Sequence, residues 1–168
     1  MFPIIPANSV TAVSGNQEGI IGFGSSSYPT PTDESNLVSN TGVVASDTAG
    51  VGTARYTPGA CSYGEDKGIF AFGHAGANTA VANLISNVGV VSSDVAGVGT
   101  ARREVNACEY GEDKGIIGFG HSNANVSITN LVSNAGVVAS DTAGVGTTRY
   151  GTAACSYGGD KGIFGFGH

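Results

Sequence analysis

Apolar and polar positions along this chain follow a short, strand-like pattern. Residues 67–72 read KGIFAF, alternating small or polar with large apolar side chains, and the same alternation returns as KGIIGF at 114–119 and KGIFGF at 161–166. A period of two puts alternate side chains on one face, so each segment is predicted as a strand with one packed face. Residues 82–91 (ANLISNVGVV) form a second apolar run, with Asn87 or Gly89 as the site of a bulge or bend. Residues 94–102 (DVAGVGTAR) begin as a turn and lead into a third strand, and 103–110 (REVNACEY) make a fourth. The GEDK segment at 111–114 is the tight turn into the next KGIIGF strand, where glycine and aspartate supply the backbone geometry.

This four-strand pattern recurs along the chain. Without gaps, residues 68–114 and 115–161 are identical at 28 of 47 positions, which identifies an internal repeat. An earlier copy begins at Gly19 and carries two extra residues near 25–31, and a partial copy, GIFGFGH, ends at His168. The units run over about 9–55, 56–102, 103–149 and a half unit at 150–168, making a single repeat domain of about 3.6 units. The first strand of the first unit is placed at 9–13. A period of 47 lies between WD40 blades of ~40–45 residues and kelch blades of ~50. The expected fold class is therefore all-β: a β-propeller-like array of four-stranded blades, with a β-solenoid or an interleaved trimeric fibre as the alternative. An unclosed array exposes a strand edge that invites pairing. Residues 2–7 could pair with the final half-blade, or copies could share blades in a homo-oligomer, which is the favoured solution.

Composition sharpens this picture. Glycine occupies 28 of 168 positions, but not every third one, so collagen is excluded, and most glycines sit at fixed places in the repeat. The net charge is −6, and only Arg102 and Arg103 are adjacent basic residues, so nucleic acid is not an expected partner. No apolar run reaches 18 residues, and membrane insertion as a helix is not expected. The amino-terminal segment has no basic region and is not read as a signal peptide. Cys61, Cys108 and Cys155 are one repeat position seen three times, without a C-x-x-C pair. They read as small buried strand residues in a protein made in a reducing compartment.

Candidate chemistry is sparse. Arg55, Arg102 and Arg149 recur, as do Asp47, Asp94 and Asp141, and the two sets are expected to form structural ion pairs between blades. His74, His121 and His168 share one position after Phe–Gly. They could bind a cation jointly, but capping of their strands is the preferred reading, because the first unit has Ser25 there. Asp66, Asp113 and Asp160 read as turn residues rather than a carboxylate array. Tyr28 lies in the one loop that breaks the repeat (SSSYPTPTD) and is a candidate contact with a ligand or a neighbouring subunit. No nucleophile elbow or phosphate loop is present, so neither a catalytic residue nor a cofactor is expected and the chain is read as non-enzymatic.

The arginine before a strand bearing a small pair and an aromatic (Ala60–Cys61–Ser62–Tyr63), followed by a turn and a GIFAFG-type strand, resembles a kelch or galactose-oxidase-like blade. It departs from that pattern where Phe72–Gly73–His74 replaces a Gly–Gly pair and where the family tryptophan is missing. Repeats of the form NLVSNTGVVASDTAGVGTAR…YGEDKGIFAFG are similar to those of virion proteins of tailed bacteriophages. That resemblance implies a structural or adhesion component of a virion (tail fibre, hub or capsid-attached appendage), made in the host cytoplasm. Its mode of action would be repeated surface loops and symmetric assembly with its own copies and other virion proteins. A carbohydrate-binding propeller that reads host-surface glycan and an intracellular kelch-type interaction module are the alternatives.

Overall fold

The computed structural model describes residues 18–168. The strand expected at 9–13 and the closing segment at 2–7 lie outside the described residues. The described chain is all-β, with ten strands in four small antiparallel sheets. The first sheet pairs β1 (Gly19–Ser27) with β2 (Thr30–Val38). The second has the order β3 (Gly59–Tyr63), β4 (Lys67–His74), β5 (Asn78–Ile85), and the third β6 (Asn106–Tyr110), β7 (Lys114–Gly118), β8 (Thr129–Val132). The fourth pairs β9 (Ala153–Tyr157) with β10 (Lys161–Gly165). Among the described residues, no helix is long and apolar enough to cross a membrane.

Two predicted strands take a different form. The apolar run at 82–91 is split: β5 ends at Ile85, the chain reverses, and Val91 and Val95 return to bridge Ile85 and Ala82. The reversal is closed by Ser86, whose amide donates to the Val90 carbonyl and whose carbonyl accepts from Gly89. The strand expected over 94–102 is not formed. Gly99 there has φ +85°, and a Cβ on it would lie 2.4 Å from Oδ1 of Asp141. This backbone wraps against the next unit instead of pairing as a strand.

The sheets stack in chain order, with β3 packed on β6 and β6 on β9. Ile69, Phe72, Val105, Ile117 and Val132 form the main apolar cluster between the second and third sheets, and Phe23, Phe70 and Ile85 form another between the first and second. β4 is therefore covered on both faces, unlike the one-faced strand its alternation predicts: Ile69 faces one neighbouring sheet and Phe70 the other. The packing is tight enough to require glycine. A Cβ on Gly115 would sit 2.5 Å from Sγ of Cys61, and one on Gly162 would sit 2.6 Å from Sγ of Cys108.

Candidate functional site

Each joint between sheets is built on the same pair of side chains. Phe23, Phe72, Phe119 and Phe166 all hold left-handed φ values of 60–63°, a conformation that is costly for a bulky residue. At Phe23 and Phe72 the strand register shifts, so the extra residue forms a bulge. The bulge presents one ring face and releases backbone carbonyls. Arg55 places its guanidinium carbon 4.0 Å from the Phe23 ring centre while its Nε donates to the Phe72 carbonyl at 2.8 Å. Arg102 repeats this over Phe72, donating to the Phe119 carbonyl at 2.8 Å. Arg149 lies 5.0 Å from the Phe119 ring centre, and its Nη1 donates to the Phe166 carbonyl. Alternating rings and guanidinium groups thus run through the stack.

Arg55 and Arg102 are fully buried, and burial brings each down to about 10, with the Asp94 and Asp141 carboxylates respectively acting the other way. Both remain charged at neutral pH. The direct ion pairs expected between the recurring arginines and aspartates do not form; the guanidinium groups end on carbonyls. The carboxylates bridge sheets by another route. Asp94 accepts from the amide and hydroxyl of Thr53, at 3.0 and 2.6 Å, and from the Asn83 side chain at 3.0 Å. Asp141 makes the same bonds to Thr100 and Asn130. Among the described residues, Asp47 is held by Asn36 alone. Burial by itself would raise the Asp94 carboxyl, but the Thr53 and Asn83 donors and Arg55 hold it below its ordinary value. Thr53, Thr100, Asn83 and Asn130 were not singled out from the sequence, although each recurs at the repeat spacing as a polar residue.

The histidines sit at strand ends, where His74 and His121 exchange backbone hydrogen bonds with Tyr56 and Arg103, and His168 does so with Tyr150. The His74 imidazole stacks on Tyr56 with centres 4.9 Å apart. The joint cation site considered for His74, His121 and His168 is not assembled: among the described residues, no group of three or more His, Cys, Asp or Glu is placed to hold a metal ion.

Tyr28 does join a site. At the first joint a groove of about 610 Å³ is lined by Ser25, Tyr28, Tyr56, His74, Arg103 and Glu104. Tyr28 is 79% exposed and meets Tyr56 edge to face at 5.6 Å. Arg103 donates to Glu104 and to the Asn78 side chain, both at 3.3 Å, so its guanidinium is oriented along the groove wall. Partial burial and the Tyr28 phenol push the Tyr56 hydroxyl above its ordinary value. The sequence signal for this groove is a break in the repeat, since Arg103 stands where the neighbouring units have Tyr56 and Tyr150. Aromatic faces beside an oriented charged pair suit a ligand with both apolar faces and hydroxyl groups.

No family model matches the chain, and no curated protein is significantly similar to it. Among solved structures it is similar to a fungal alcohol oxidase of the AA5 family in complex with copper, at 14% identity and a TM-score of 0.53. The likeness covers 76% of this chain and 28% of that one, so the chain spans well under a third of its neighbour's length. At that identity the likeness is one of fold alone, and it supports the kelch or galactose-oxidase-like resemblance to that extent. This corrects the expectation of a non-enzymatic chain. That expectation rested on missing motifs, and the neighbour with this fold is an oxidase.

Proposed function

We propose that this chain is a structural and adhesion module of the kind its repeats resemble in tailed-bacteriophage virion proteins. In this reading the arginine–phenylalanine joints make a rigid stack, and the stack holds recognition loops at fixed spacing. The observation that carries the reading is the groove at the first joint, where a largely exposed tyrosine from the tight turn between β1 and β2 meets Tyr56 and the Arg103–Glu104 pair; the loop expected over 25–33 is an extension of these two strands. Tyr28 has no counterpart in later units, which favours one principal contact over a ring of equivalent lectin sites. Surface glycan suits the lining, because tyrosine rings stack on sugar faces while arginine and glutamate bond hydroxyl groups.

The test is an array of bacterial surface polysaccharides probed with the intact chain and with Tyr28→Ala and Arg103→Ala. Binding that drops at least tenfold in both variants, with unchanged melting temperature, supports the reading. Absence of glycan binding together with absence of co-sedimentation with phage particles would end it.

A further inference from the structure

The outer face of the fourth sheet repeats a surface that is covered elsewhere. Cys61, Tyr63, Ile69 and Phe72 of the second sheet are packed against the third. Their equivalents Cys155, Tyr157, Ile163 and Phe166 are exposed, at 53% for Tyr157 and Ile163 and 88% for Phe166. Thr147, the equivalent of Thr53 and Thr100, has no carboxylate partner among the described residues, whereas those two reach Asp94 and Asp141. The first sheet shows the complementary half. Among the described residues, Asp47 has Asn36 as a donor but no threonine across a joint. Ile21, which occupies the position of the fully buried Ile117, is 57% exposed.

We infer that the fourth sheet of one chain docks on the first sheet of a second copy, and that two such joints close a two-chain ring. This goes beyond the function proposed above and is independent of what the groove binds. The partner is a second copy because the two surfaces match by the rule that joins the internal sheets: Thr147 donates to Asp47, and Ile163 packs toward Ile21 as Ile69 clusters with Ile117. A head-to-tail contact related by a two-fold axis gives two identical joints. Four described sheets per chain make eight, within the range of blade numbers that close a propeller. One component of the internal joints is absent. Arg55, the arginine of the first unit, already lies over Phe23, so no guanidinium of that unit is left to cap Phe166. The joint between chains is therefore weaker than the internal ones, and the ring dissociates on dilution.

Sedimentation of the intact chain over a hundredfold concentration range tests this, with Ile163→Lys and Ile21→Glu as variants. Both side chains are more than half exposed, and circular dichroism verifies that the variants fold. The wild type is expected as a dimer that dissociates on dilution, and each variant as a monomer. An equimolar mixture of the two variants regains the dimer, because one joint then pairs lysine with glutamate and the other is wild type. A wild type that stays monomeric throughout overturns the inference in favour of closure within one chain. Species longer than dimers overturn the ring. A mixture that stays monomeric overturns the head-to-tail arrangement. Glycan binding is read separately, so loss of the dimer and loss of adhesion are distinguishable.

Discussion

The guanidinium carbon of Arg102 lies 4.1 Å from the centre of the Phe72 ring, on a side chain that reaches on to the next sheet through the Phe119 carbonyl. One buried residue thus fastens two sheets. A desolvated cation–π contact is worth about 2 kcal/mol and a hydrogen bond to a charged group about 1.5–3. Arg102→Ala is expected to destabilise the chain by about 3 kcal/mol in urea unfolding. Arg149→Ala is expected to cost only about 1 kcal/mol, because its ring contact is longer, at 5.0 Å, and its carbonyl bond is exposed. Equal losses at the two positions would show that the contact over Phe72 carries no special weight.

The aspartate bridges impose a pH dependence. The Asp94 and Asp141 carboxyls are held below their ordinary value in the folded chain. A carboxyl depressed on folding stabilises fully above its unfolded value of about 4, and that contribution is lost as pH falls through the lower, folded value. Stability should drop below about pH 4, and Asp94→Asn should flatten that limb. Parallel profiles for variant and wild type, followed by thermal unfolding from pH 2 to 7, would assign the acid sensitivity elsewhere.

Gly115 tests the tightness of the stack. Its missing Cβ would lie 2.5 Å from Sγ of Cys61 and 3.2 Å from Cβ of Val132. Gly115→Ala is expected to cost about 2 kcal/mol through overpacking. Adding Cys61→Ala to the same chain should restore part of the loss, since the nearest atom is then gone. A double-mutant cycle with no coupling would mean that the sheets separate freely at this point.

Thiol reactivity reads the same joints from the outside. Burial pushes the Cys61 thiol up to about 12, and burial also raises that of Cys108, whereas Cys155 is exposed. With an aromatic disulfide reagent at pH 8 and low protein concentration, one thiol per chain should react promptly and two only after unfolding. Prompt reaction of all three would contradict the stacked arrangement.

The repeat, the all-β class and the recurring arginine position were legible because each copy restates the same local pattern. The split at 82–91 was half legible: Asn87 or Gly89 stands out as a bulge or bend, but only the return bridge from Val91 to Ile85 makes it a hairpin. The 94–102 segment reads as a turn leading into a strand, but no strand forms, and its glycine at 99 lets Asp141 and Asn130 approach the backbone. The histidine position was visible, but a shared position in the repeat does not bring side chains together when the units are separate sheets.

The sequence by itself determined the period of 47, the strand alternation, the turns and which residues recur, because these depend on local backbone preference and on which side chains avoid water. Tertiary structure alone decided the partners. Arginine and aspartate recur together, so spacing pairs them, but burial favours carbonyl acceptors aimed by the phenylalanine bulge, and Asp94 and Asp141 are each satisfied by a threonine from the preceding unit. The groove at Tyr28 was also decided in three dimensions, since it joins a loop near residue 28 to Arg103 only because stacking places successive units side by side.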